Sequence, residues 1–239
     1  NKPSLAYTYA EAAAALGYSD DWESYSLCEF MYSHFQLFGL SPVIFVNVLD
    51  PEVHKTTAVP TPIPMSARSA KIEVKGIILK SLVVKSSDSS TTFDRDTDYT
   101  AAFDAEGHVV ITSKPSGAIA ADTSSVTVTY DKLDPTLVDE DDIIGGINND
   151  GSVTGIELVN QVFPRFGVLP GLVAAPGWSD HPTVAAVMVA KAGNVNGHFK
   201  AMALTDLAAD QPYTEAGQWK SDNGYTTKDQ IATYPMMSS

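Results

Sequence analysis

Cysteine occurs once in 239 residues, at Cys28, so no internal disulfide can form and the composition fits a reducing compartment. Long apolar runs are also missing. The longest, Val184 to Ala190, falls far short of the ~20 residues of a membrane-spanning helix. No basic segment followed by an apolar stretch stands at the N-terminus, so no secretory signal is expected there. Positive charge is scarce: 15 Lys and Arg against 29 Asp and Glu give a formal net charge of −14. Such a surface repels nucleic-acid phosphates and anionic lipid, and favours either a basic partner or plain solubility. Phosphate-binding motifs are absent as well, with neither a Gly-x-Gly-x-x-G nor a Gly-Lys-Ser/Thr loop, so no nucleotide cofactor is expected. Opening on Asn1 rather than Met, the chain reads as a processed product or an excised fragment.

What is present is 44% hydrophobic, enough for a folded chain with a sizeable core. Thr8-Tyr9-Ala10-Glu11 opens an Ala-rich helix that stops at Gly17, and Ser26-Leu27-Cys28-Glu29 repeats the capping pattern. Leu27, Phe30, Met31, Phe35 and Phe38 then form one apolar stripe at helical spacing, closed by Gly39. Val43 to Val48 is a β-branched run of the kind covered on both faces. The rhythm breaks at Thr56, where Pro60, Pro62 and Pro64 favour extended polyproline-like chain. Beyond lies a segment with strand-like alternation at Ile72/Val74 and Val126/Val128/Tyr130, and a hairpin from Tyr99 to Thr112 turning at Asp104–Gly107. From Val138 helical logic returns: Asp139 to Asp142 suit a helix N-terminus, and a helix from Ile156 should end by Pro164. Leu172–Ala175 and Lys200–Thr205 read as strands, with a helix opening at Pro182 between them. Short helices are expected over 214–220 and 228–233. The predicted organisation is therefore a discontinuous α/β domain, residues 1–66 and 136–239. It carries a mainly parallel layered sheet and is interrupted by a small antiparallel β-sandwich or barrel-like domain at 67–135.

Chemistry-bearing constellations are few. His34, His54, His108, His181 and His198 share no His-x-x-x-His or Cys/His spacing, so no zinc ligand set is expected. Asp94, Asp96 and Asp98 fail as an EF-hand, which would place Gly where Tyr99 stands and Glu where Ala105 stands. Asn148-Asn149-Asp150-Gly151 reads as a turn. Cys28, with no nearby cation, reads as a buried structural thiol. One stretch invites catalysis: Ser179-Asp180-His181 directly follows a strand, where ligands of α/β sheets bind. Adjacent residues cannot by themselves converge into a triad, and Ser179 or Asp180 capping the next helix accounts for them more simply. A hydrolase or peptidase-like enzyme using this loop is the alternative reading, and a glycan- or protein-binding β module a third. No catalytic, cofactor-binding or metal-binding residue is expected.

Three blocks resemble contractile phage tail sheath proteins. They are TYAEAAAALGYSDDWESYSLCEFMYSHFQLFGLSPVIFVNVLDP (8–51); YDKLDPTLVDEDDIIGG (130–146), with DYTAAFDAEGHVVIT before it; and VFPRFGVLPGLVAAPGWSDHPTVAAVM (162–188), with NVNGHFKAMALTDL after it. The resemblance implies a structural, non-enzymatic subunit of a phage or prophage virion, made in the bacterial cytoplasm. Such subunits stack as hexameric rings around the tail tube and contract to drive it through the host envelope. Its implied partners are other sheath subunits, tube and baseplate proteins, with no nucleic acid, membrane or cofactor. It also implies a subtilisin-like topology without the triad and an outward-facing β module. The family's C-terminal domain and terminal arms have no counterpart here, which makes a fragment the expectation.

Overall fold

A computed structural model describes residues 2–235 as two compact units, one made of the chain up to Leu49 together with the chain from Val138, the other of Asp50–Leu137. In the first unit, strand β1 (Pro3–Ala6) pairs antiparallel with β2 (Val43–Val46), and helices α1 (Tyr9–Leu16) and α2 (Ser26–Tyr32) lie between them in sequence. Thr8 caps α1, its Oγ1 accepting the Glu11 N–H at 3.2 Å, while the Glu11 carboxylate reaches back to the Tyr7 N–H at 2.8 Å. Ser26 differs from expectation. It is the first helical residue, preceded by Tyr25 without any side-chain cap. The lead-in comes instead from the acidic turn, where Asp21 accepts the Ser24 N–H through its carboxylate and the Tyr25 N–H through its carbonyl. The apolar stripe also ends early, because α2 widens into a π-helical turn over Ser33–Leu37 that leaves Phe38 71% exposed. Ala6, Ala12, Met31 and Phe45 form the buried cluster of this region. Of β2, only Phe45 is buried. The strand expected to be covered on both faces is half of a two-stranded sheet.

The second unit is all-β. It runs through β3 (Lys55–Thr57), β4 (Thr61–Pro64), β5 (Ser69–Ile72), β6 (Val83–Ser86), β7 (Thr92–Phe93), β8 (Tyr99–Phe103), β9 (Val109–Ser113), β10 (Ser125–Thr129) and β11 (Asp131–Leu133). The sheets β4-β10-β6-β7 and β5-β9-β8 are antiparallel, and β3 pairs with β11. Alternate residues of both larger sheets (Ile72, Val84, Tyr99, Val109, Ile111, Val126 and Val128) meet in one buried cluster, as the period of two requires. The unit begins at Asp50 rather than at residue 67 for a specific reason. The proline-rich segment, expected as extended polyproline-like chain, is extended but paired: Thr61–Pro64 forms an edge strand, with Pro62 opposite Thr127 and Pro64 opposite Ser125. Only an edge tolerates residues that lack the ladder's N–H donor.

The chain then returns to the first unit. Asp139 caps α3 (Glu140–Ile144), accepting the N–H groups of Asp141 and Asp142, while Asp142 accepts the Asp139 N–H at 3.0 Å. A short hairpin, β12 (Gly146–Ile147) and β13 (Val153–Thr154), leads into a 3₁₀ run over Gly155–Gln161 and helix α4 (Val162–Phe166). Pro164 does not end a helix; it sits third in α4, where a missing N–H leaves no helical bond unmade. Strands β14 (Leu172–Ala174), β15 (Met202–Asp206) and β16 (Gln230–Thr233) then build a parallel sheet in that order, with α5 (Pro182–Ala192) and α6 (Tyr213–Asp222) as crossovers. The helix expected at 228–233 is thus the third strand, completing the second βαβ step. Val184, Met188 and Ala192 of α5 pack with Val173 and Ala203, and Ala216 of α6 packs with Leu207 and Tyr225. The result is mixed α/β, with a three-stranded parallel sheet distinct from the β1–β2 pair.

Candidate functional site

The loop between β14 and α5 is where catalysis was to be sought. Its chain turns back on itself, the N–H groups of Trp178 and Ser179 both donating to the Ala175 carbonyl at 3.0 Å. That turn drives Ser179 inward until it is 1% exposed. The Ser179 hydroxyl donates to the Asp206 carboxylate at 2.7 Å and accepts the Asp206 N–H at 3.0 Å, while the Ser179 carbonyl accepts the buried Tyr225 hydroxyl at 2.9 Å. Burial, then the charges of Asp180 and Asp206, push the Tyr225 phenol up to about 12, so it remains a donor across the ordinary pH range. His181 goes elsewhere: its Nδ1 lies 3.0 Å from a Glu140 carboxylate oxygen and its ring sits edge-on to Trp178. Ser179 therefore faces a carboxylate rather than an imidazole, and no base stands ready to take its proton toward a substrate. Neither Ser179 nor Asp180 caps α5; His181 occupies the N-cap without a side-chain bond, and Pro182 starts the helix. Ser179 alone of the three serves as a clamp, joining the loop to the C-terminal end of β15.

The other candidate residues are used locally. Asp98 accepts the N–H groups of Asp94 and Ala118, both at 2.8 Å, which bracket its loop and lower its pKa. Asp150 accepts from Ser152 within the β12–β13 turn. His34 stacks on Phe30, and burial lowers its pKa. Burial raises the pKa of Cys28, whose sulfur accepts the Ser19 N–H, so it stays a thiol. Asn160, which lines a cleft with Lys191, Asn194 and Asn196, spends its carbonyl on the Asn196 N–H and its amide on Glu157.

One cluster escaped the sequence reading. Asp104, Glu106 and His108 bring their ligand atoms within 4.8 Å of one another on the β8–β9 hairpin. The Asp-x-Glu-x-His spacing was visible, but the turn signal masked it. The Lys71 ammonium of β5 stands among these groups, 3.0 Å from Asp104 and 3.1 Å from Glu106, so a cation is already in place. The Lys71 bond, with N–H groups of His108 and Glu106, holds Asp104 down at about 2; hydroxyl and N–H donors from Ser86 and Ser90 do the same for Asp88. Both pKa values are lowered on folding. Their stabilisation is therefore complete above the unfolded carboxylate value near ~4 and is lost as pH falls toward about 2. The thermal midpoint is expected to be level from pH 7 to 5 and to drop below pH 4, with a shallower drop in Asp104→Asn. An equally steep drop in that variant would remove Asp104 from the account.

What remains available for function is surface. Leu37, Phe38 and Leu40 are exposed in a turn whose residues 35–46 carry no charge. One face of the parallel sheet is also uncovered. Among the described residues no helix is long and apolar enough to cross a membrane.

Comparison with known proteins gives one informative result. No protein-family model matches the chain, and no solved structure does. The chain is similar to a protein named Tail sheath protein from Burkholderia phage BcepMu, 32% identical over 155 residues, which is 65% of this chain and 32% of that protein. The match thus spans about a third of that relative's length.

Proposed function

We propose that the chain is a member of the phage tail sheath family and a structural subunit of a contractile tail sheath, assembling with copies of itself around a tail tube. The observation that carries this reading is the identity to a tail sheath protein along 155 residues, far longer than any local motif. The chemistry described above supports it from the other side: the serine best placed for catalysis is sealed against Asp206, and the acidic hairpin cluster holds a lysine. In this reading the β14–β16 sheet is the nucleus of a layered, subtilisin-like α/β body, and Asp50–Leu137 is the outer module. Tube and baseplate proteins are the other partners, and the virion is the location. The alternative, a hydrolase working through Ser179, Asp180 and His181, draws no support from where those side chains go.

Contraction needs no bound cofactor if the extended lattice is kinetically trapped and the contracted one buries more surface between subunits. Each subunit then moves as rigid bodies, a role suited to close-packed cores such as that around Val184, Met188 and Ala203, all fully buried. Negative-stain electron microscopy of the whole protein is the test. Rings or tubes are expected, and their inner diameter should accommodate a protein tube. A particle that stays monomeric at every concentration and salt would overturn the reading.

A further inference from the structure

The chain holds two Asn-Gly pairs, Asn196-Gly197 and Asn223-Gly224, and the fold treats them differently. Glycine has no side chain to shield its nitrogen, so the amide carbon of a preceding asparagine lies open to it. Between α5 and β15, Val195 and Phe199 form an isolated antiparallel bridge, the Val195 N–H donating to the Phe199 carbonyl at 2.8 Å and the Phe199 N–H returning at 2.9 Å. The residues between them close a tight turn, with the His198 N–H on the Val195 carbonyl at 3.2 Å, Asn196 at φ 52° and Gly197 at φ 75°. Positive φ at both central positions is the geometry that an Asn-Gly hairpin turn adopts. Among the described residues, neither the Gly197 N–H nor the Asn196 side-chain amide makes a hydrogen bond. Only the Asn196 main-chain N–H is held, by Asn160 Oδ1 at 2.8 Å, and Gly197 and His198 are exposed.

The second pair is tied down at the end of α6. Asn223 directs its main-chain N–H to the Trp219 carbonyl at 3.0 Å and its side-chain amide to the same oxygen at 2.9 Å, and the Gly224 N–H donates to the Ser221 carbonyl at 3.4 Å. The next residue, Tyr225, is buried and anchored on the Ser179 carbonyl.

We propose that Asn196-Gly197 is a site of spontaneous covalent modification, in which the chain's own backbone and water are the reagents. The Gly197 nitrogen gives its proton to hydroxide and attacks Asn196 Cγ. The N–Cγ bond forms, the Cγ–Nδ2 bond breaks, and the amide nitrogen leaves as ammonia to give a cyclic imide. One water then opens the ring at either carbonyl, yielding aspartate or isoaspartate, with nothing oxidised or reduced. Nucleophile and electrophile belong to adjacent residues, so the step is intramolecular. Either product sets a carboxylate in the cleft lined by Asn160, Lys191 and Asn194 and takes the net charge from −14 to −15 (−14 − 1). Isoaspartate also lengthens the main chain of the turn by one carbon, next to Val195, which is fully buried in the core beneath α5. The inference stands on the geometry of this turn and is independent of the sheath reading.

Trypsin separates the two sites, because cleavage after lysine releases residues 192–200 around Asn196 and 221–228 around Asn223. The folded 239-residue chain is held in mildly alkaline buffer and sampled over time by peptide mass spectrometry, with electron-transfer fragmentation to distinguish isoaspartate from aspartate. Peptide 192–200 should gain the acid form at least about tenfold faster than 221–228, the factor that hydrogen bonds such as those holding Asn223 and Gly224 are worth. In urea, which releases both pairs, the two rates should converge. Anion exchange of the aged folded protein should show an acidic species that Asn196→Gln does not form, since the longer side chain closes its imide ring far more slowly. Equal rates in the folded chain, or faster reaction at Asn223, overturn the proposal. A difference that persists undiminished in urea overturns it too, by assigning the contrast to flanking sequence instead of the turn, and so does an acidic species formed equally by Asn196→Gln.

Discussion

Alanine at Gly155 is expected to destabilise the first unit by roughly 3–5 kcal/mol, the sum of left-handed backbone strain and a hard overlap that has no flexible partner. Gly155 sits at φ 58° where β13 passes into the 3₁₀ run, and Gly145 sits at φ 62° where α3 ends. The two backbones approach so closely that a Cβ at 155 would lie 2.5 Å from the Gly145 nitrogen and 2.5 Å from the Ile143 carbonyl oxygen. Every obstructing atom is main chain, so relief requires moving α3 itself. Ile143 and Ile144 of that helix pack on the cluster around Met188, and the disturbance would reach the core. Gly151, at the tip of the β12–β13 turn with φ 81° and open space around it, isolates the strain from the overlap. Gly151→Ala should lose only about 1 kcal/mol. Urea unfolding of both variants decides the matter; equal losses would mean that the close approach at Gly155 contributes nothing.

Local signals in this chain were legible wherever the physics that sets an element acts within a few residues. Asp139 to Asp142 announced a helix start because a carboxylate three residues from another can exchange caps with it, and it does so. Pro182 opened α5 for the same local reason. Failures arose where a distant partner decides. Thr61–Pro64 reads as unpaired polyproline-like chain because nothing nearby reveals that β10 lies alongside it. Gln230–Thr233 resembled a helix until β15 supplied a parallel neighbour. Pro164 was read as a stop because its position within the turn, not its identity, determines whether an N–H is missed.

The candidate sites divide along the same line. Spacing alone carries the expectation that no zinc finger, calcium loop or phosphate loop is encoded. The true partners of Ser179 and Asp104 could not, since Asp206 and Lys71 stand 27 and 33 residues away, brought in by β15 and β5. The resemblance to tail sheath proteins, by contrast, lies in long strings, which preserve many weak tertiary constraints at once; the chain is similar to one such protein along 155 residues.

Replacing Ser179 by alanine is expected to lower stability by about 1–3 kcal/mol and to leave ester turnover unchanged. The hydroxyl is at once a donor to the Asp206 carboxylate and the acceptor of the Asp206 N–H. The hydroxyl is itself buried, and its removal leaves the Asp206 carboxylate and N–H without this partner in a single step. The consequences propagate, because Asp206 also accepts the Thr233 hydroxyl at 2.5 Å and Tyr225 reaches the Ser179 carbonyl, so the clamp ties the loop to β15, to β16 and to the segment after α6. Asp206→Asn should cost a similar amount, and the double variant less than the sum of the two, with a coupling of ~1 kcal/mol or more between residues in direct contact. A nucleophilic serine would behave in the reverse manner, since stripping such a residue removes turnover by several powers of ten and barely moves the unfolding midpoint. Paired urea titrations and ester-hydrolysis assays on wild type and Ser179→Ala separate the two outcomes. Measurable turnover in the wild type that vanishes in a variant of unaltered stability would restore the loop to catalysis and remove the chief physical support for a purely structural subunit.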